Sequence, residues 1–80
     1  MNQNSKVSLR VKELIAIGAS IGGNCMPCLR YHFAEARKLD VSIDEIKEAI
    51  KIGKMVKERP INDIYKLADD LISRENVESI

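Results

Sequence analysis

Apolar residues in this chain recur at spacings of three and four, and no segment shows the strict alternation of a strand. Leu14, Ile15, Ile17, Gly18 and Ile21 mark one such stretch, with Arg10, Lys12 and Glu13 on its polar side. That period belongs to amphipathic helices, so the expected class is all-α. The first helix should run roughly from Ser8 to Ile21. Gly22-Gly23-Asn24 should end it, with glycine supplying the left-handed conformation common at helix C-termini. A second helix should follow at once, capped by Asn24, with Pro27 tolerated in its first turn. It should reach about Leu39, where Asp40 breaks it.

The third helix has the clearest start. Ser42-Ile43-Asp44-Glu45 has the form of a capping box, in which the hydroxyl and the carboxylate each satisfy an orphan amide. Ile43, Ile46, Ala49, Ile50, Gly53 and Val56 then make one apolar stripe, in which Gly53 suggests close helix packing. Arg59-Pro60 is expected to stop this helix. A fourth should span about Asn62 to Arg74, with Ile64, Leu67, Ala68, Leu71 and Ile72 turned inward. The expected architecture is a single domain over residues 1–80: a compact bundle of about four helices behind a polar tail of about residues 1–6.

Size then limits how such a bundle can be stable. At 80 residues with two cysteines and no tryptophan, a lone core rarely yields more than a few kcal/mol. The second helix also spreads Met26, Leu29, Phe33, Ala34, Ala36 and Leu39 around most of its circumference. A homo-oligomer that completes the core is therefore expected. The net charge of +1 leaves no electrostatic footprint for nucleic acid. The longest apolar run, Leu14 to Ile21, is far short of the ~18 residues a membrane span needs. The polar start Met1-Asn2-Gln3-Asn4-Ser5 lacks the apolar core of a signal peptide, so a cytoplasmic setting is expected. There, a Cys-x-x-Cys pair points to redox work or metal binding more than to a structural staple.

The chemistry-bearing stretch is Gly22-Gly23-Asn24-Cys25-Met26-Pro27-Cys28-Leu29-Arg30-Tyr31-His32. If Cys25 opens a helix, Cys28 and His32 follow at i+3 and i+7 on the same face. The two sulfurs can then bridge. The helix N-terminus favours thiolate over thiol. His32, one turn beyond Cys28, can take a thiol proton. A base, a lowered pKa and a second sulfur are what an attacking thiol needs. Two thiolates and one imidazole fall short of the four ligands of a closed zinc site, so no metal is expected. Without a glycine-rich phosphate loop on a strand, no organic cofactor is expected either.

The run Glu13-Leu14-Ile15-Ala16 through Cys25-x-x-Cys28-x-x-x-His32, followed by the capped third helix, resembles the alkyl hydroperoxidase D / carboxymuconolactone decarboxylase superfamily. The resemblance covers roughly residues 8 to 57. Its most specific part is the Cys-x-x-Cys-x-x-x-His run after a glycine-containing turn, with Glu13 twelve residues before the first cysteine. It implies an all-helical fold and homo-oligomers, often trimers or hexamers. It also implies that Glu13, Cys25, Cys28 and His32 form a thiol site with its proton relay. Spacing alone would make Glu13 a solvated carboxylate paired with Lys12 or Arg10. The best-known members carry a second histidine just before the second cysteine, where this chain has Pro27. Members that act as lactone decarboxylases generally lack the cysteine pair, which makes that activity the secondary expectation.

The function these features point to is a dithiol oxidoreductase of peroxidase or disulfide-reductase type. Cys28 attacks a small-molecule peroxide or disulfide, Cys25 closes the disulfide, and an external thiol reductant reopens it. The alternatives are a decarboxylase-type enzyme, or a non-catalytic helical subunit that binds a metal or protein partner through the Cys25, Cys28 and His32 face.

Overall fold

The computed structural model describes residues 6–79, with side chains through residue 75; the polar start at residues 1–5 lies outside it. The class is all-α, and the described residues form three helices: α1 (Leu9–Gly22), α2 (Met26–Lys38) and α3 (Ile43–Ser79). The third and fourth helices expected from the sequence are one. Pro60 lies inside α3 rather than at its end. An interior proline removes one amide donor and strains a turn. It does not stop a helix when good helix-forming sequence continues in phase on both sides.

α1 begins where Ser8 caps it, the hydroxyl accepting the Val11 amide at 3.2 Å. It packs against both α2 and α3 and so forms the centre of the fold. Ile17 from α1, Ala36 from α2, Val41 from the connection and Ile46 from α3 make the buried core, flanked by Leu14, Leu29, Leu39, Ala49 and Ile50. Burying each large aliphatic side chain contributes about 1.5–3 kcal/mol, so this core is small. α1 and α3 approach through glycines. A Cβ on Gly53 would lie 2.8 Å from the Gly18 carbonyl oxygen, which explains why glycine stands inside a helix there.

The turn between α2 and α3 is held by charge. Asp40 takes a left-handed conformation at φ 60°, and Arg37 donates to the Val41 carbonyl at 2.8 Å. Arg10 reaches from α1 to the carbonyls of Leu39 and Asp40 and pairs with Glu45 at 3.1 Å. The capping box is formed: the Ser42 amide donates to Glu45 Oε1 at 3.0 Å, and the Glu45 amide donates to Ser42 Oγ at 3.1 Å. The Ser42 amide, then its hydroxyl and the Arg10 guanidinium, hold the Glu45 carboxyl below its ordinary value. A carboxylate with a lowered folded-state pKa stabilises the fold above its ordinary range, and that contribution is lost as pH falls through the lowered value. The Tm advantage of wild type over Glu45→Gln is therefore expected to be largest near neutrality and to shrink below about pH 4. Parallel Tm–pH curves for the two proteins would contradict this.

Beyond residue 58, α3 runs on as an arm. Ile64, Leu67, Leu71 and Ile72, expected to face inward, are exposed instead, at 62%, 53%, 48% and 59%. The long dimension of the molecule is accordingly 64 Å against 24 and 21 Å across.

Candidate functional site

The site is built where α1 hands over to α2. Gly23 closes α1, its amide donating to the Ala19 carbonyl at 2.9 Å, but its φ is −91°. The left-handed residue is Asn24, at φ 56°. Glycine was the expected residue for that conformation; asparagine is one of the few others that visit it. The Asn24 and Cys25 amides donate back to Ile21 and Ser20 carbonyls at 3.2 and 3.0 Å. Ser20 is buried, and its hydroxyl donates to the Ala16 carbonyl at 2.7 Å. Lys57, reaching over from α3, donates to the Ile21 carbonyl at 3.1 Å and to Asn24 Oδ1. A cation at the C-terminal end of α1 complements its dipole.

The N-cap of α2 is Cys25, one residue later than the expected Asn24. Its backbone is extended, and its sulfur accepts the Cys28 amide at 3.2 Å. Pro27 sits in the first turn, where a missing amide costs nothing because first-turn amides have no helical acceptor. Cys25 and Cys28 are joined as a disulfide, with their Cα atoms 5.2 Å apart. Cys28 is exposed and Cys25 only partly so.

His32 lies one turn beyond Cys28 on α2. Its Nδ1 is 2.7 Å from Glu13 Oε2 of α1, with the Glu13 side chain 14% exposed and His32 29%. An ionised carboxylate can only accept, so with Glu13 ionised the Nδ1–H of His32 is the donor in this pair. That leaves Nε2 of a neutral imidazole as the acceptor, its orientation set by Glu13. The Tyr31 ring stands edge-on to His32, with centroids 5.0 Å apart. Glu13 therefore pairs with His32, while Arg10, a partner that spacing suggested for it, pairs with Glu45.

The structure joins the four residues singled out in the sequence in two pairs, Cys25 with Cys28 and Glu13 with His32. Sequence reasoning did not find Lys57 or Ser20, because one lysine among many and one serine in an apolar run carry no local signal. Among the described residues, no group of three or more His, Cys, Asp or Glu is arranged to hold a metal ion. No described helix is long and apolar enough to cross a membrane. Among the described residues, surface grooves lie along α3 that are not lined by the four site residues.

A family model described as the carboxymuconolactone decarboxylase family matches residues 1–58. This chain belongs to that family. The family match takes in α1, α2 and the first part of α3, and with them Glu13, Cys25, Cys28, His32 and Lys57. It ends just before Pro60, so the arm lies outside it. Comparison with curated proteins found no match, and comparison with solved structures found none.

Proposed function

We propose that this member of the carboxymuconolactone decarboxylase family is a dithiol oxidoreductase that reduces a small peroxide or disulfide at the expense of an external thiol. The observation that carries the reading is the Cys25–Cys28 pair at the start of α2, followed one turn later by a histidine whose Nδ1 is held by the Glu13 carboxylate.

In the reduced protein, His32 Nε2 takes the Cys28 proton, and Glu13 stabilises the resulting imidazolium. The Cys28 thiolate attacks a peroxide oxygen. The O–O bond breaks, the departing alkoxide takes a proton and leaves as an alcohol, and Cys28 becomes a sulfenic acid. Cys25 then attacks the Cys28 sulfur and forms the disulfide, and the hydroxyl leaves with a proton as water. The protein has lost two electrons and the peroxide has gained them. An external dithiol returns the electrons by two thiol–disulfide exchanges. With a disulfide substrate the first product is a mixed disulfide, which Cys25 resolves in the same way. Cys28 is the better placed attacker because it is the more exposed residue of the pair and the nearer to His32 in sequence. The chain needs no cofactor for this chemistry, and a reducing compartment such as the cytoplasm suits its cycle.

Treating the reduced protein with one equivalent of peroxide tests this. The mass of a single chain should fall by two hydrogens, and titratable thiols should go from two to none. In His32→Ala the thiolate absorbance should rise at higher pH than in wild type, toward the free-thiol value of about 8.5. Two thiols surviving mild oxidation would rule out the reading. Superimposable titrations would remove His32 from it.

A further inference from the structure

We infer that the arm of α3 is a docking element for a second copy of this chain, and that its seat is the furrow between α1 and α3. The inference is independent of the redox reading. Ile46, Ile50 and Gly53 face α1, and counting on by fours and threes along the same helix face leads to Ile64, Leu67 and Leu71. The first part of this stripe is covered by α1, and the second has no cover within the chain. The other side of the arm satisfies itself, through Arg59–Asp63 and Lys66–Asp70 pairs at 3.5 and 3.3 Å. A helix with one polar side internally paired and one wide apolar side bare has the form of an element that docks.

The furrow offers the complementary surface. It is a groove of about 590 Å³ lined by Leu14, Ile15 and Gly18 of α1 and by Ile52, Gly53 and Val56 of α3, among others. Ile15, Ile52 and Val56 are 61%, 54% and 64% exposed. The α3 residues that line it, 45–56, and the apolar arm residues, 61–72, are stretches of equal length, each about 18 Å as helix. The arm cannot reach its own furrow, because both belong to one continuous helix that carries the arm away from it.

Area argues for a second copy as the occupant. A compact monomer of 9.0 kDa exposes about 4,900 Å², whereas this chain exposes 6559 Å². The excess is about 1,700 Å², and a standard interface takes only about 800 Å² from each partner. Half of the excess is thus enough for a stable contact. A copy of the same chain supplies both halves of the contact, an arm for each furrow, as a twofold interface requires.

The test is light scattering coupled to size exclusion at micromolar concentration, with circular dichroism to confirm folding. Wild type should show a multiple of the 9.0 kDa chain mass. The arm variant Leu67→Glu/Leu71→Glu and the furrow variant Ile15→Glu/Ile52→Glu should each be helical monomers, since the four side chains are exposed within one chain. Leu67→Gln/Leu71→Gln replaces the first variant if charge melts the arm. Mixed in equal amounts, the arm and furrow variants should regain association, because one intact arm then meets one intact furrow. A folded wild-type monomer would overturn the inference and leave the arm to some other partner. Persistent assembly of either variant, or a mixture that stays monomeric, would overturn it as well.

Discussion

Cys28→Ser is expected to abolish peroxide-dependent turnover, lowering the rate by on the order of 10³-fold or more, because it removes the thiolate that the proposed order makes the attacker. Cys25→Ser should behave differently. Its Cys28 still attacks, so one equivalent of peroxide is consumed and a sulfenic acid remains, which a carbon nucleophile selective for sulfenic acids can trap. Turnover then depends on how fast the external thiol attacks that sulfur directly. The pair of variants also decides the order of attack. The proposed order requires the trap to label Cys28 in Cys25→Ser and nothing in Cys28→Ser. Labelling of Cys25 in Cys28→Ser, with Cys25→Ser inert, would reverse the roles. Loss of activity in neither variant would end the thiol reading altogether.

The second large effect is on stability. A Cβ at position 53 would meet the Gly18 oxygen at 2.8 Å, Ile21 Cβ at 3.0 Å and Gly18 Cα at 3.3 Å. Two of these atoms are backbone, so the conflict is relieved only by moving α1 away from α3. Overpacking costs about 1–3 kcal/mol, while alanine gains about 1 kcal/mol over glycine in helix propensity. Gly53→Ala should therefore be mildly destabilising. Gly53→Val adds two further carbons and recovers less propensity. Its cost should reach at least ~3 kcal/mol, which approaches the whole stability of a domain this small. Thermal denaturation should show a fall of more than about 10 °C in Tm for Gly53→Val, given 4–8 °C per kcal/mol at this size. Gly18 provides the contrast, since a Cβ there meets only the Ala49 oxygen at 3.4 Å. Gly18→Ala should be neutral or slightly stabilising. A Gly53→Val protein that melts with wild type would mean that the helices do not approach this closely.

What the sequence disclosed divides along physical lines. Ser42 and Glu45 could be read because a capping box closes within four residues. Cys25, Cys28 and His32 could be read because a helix fixes their relation locally. Gly53 could be read because a glycine inside an apolar stripe needs a packing reason. Pro60 misled because the local rule for proline conflicts with the phase of the stripe. Gly53, Lys57, Pro60 and Ile64 keep spacings of four, three and four through the proline, so the register is that of one helix. Asn24 could not be separated from Gly22 and Gly23, since all three can turn a chain and only the packing of α3 on that turn chooses between them. The partner of Glu13 was invisible to spacing because it lies nineteen positions away on another helix. Resemblance to a family gave the residue, and the structure gave its partner.

The sulfur of Cys25 both caps α2 and belongs to the disulfide. A thiolate at that position is a charged acceptor facing the positive end of a helix, an interaction of about 0.3–1 kcal/mol. A disulfide sulfur carries no charge and forgoes it. The difference favours the reduced protein, making the couple more oxidising by up to about 20 mV on the scale where 30 mV is about 1.4 kcal/mol. It also sets how the midpoint potential follows acidity. While both thiols hold their protons, two protons accompany two electrons, and the potential falls by about 59 mV per pH unit. Once one is a thiolate, the slope halves to about 30 mV. The break should come below the free-thiol value of about 8.5; a break at or above that value would show that neither the cap nor His32 favours a thiolate.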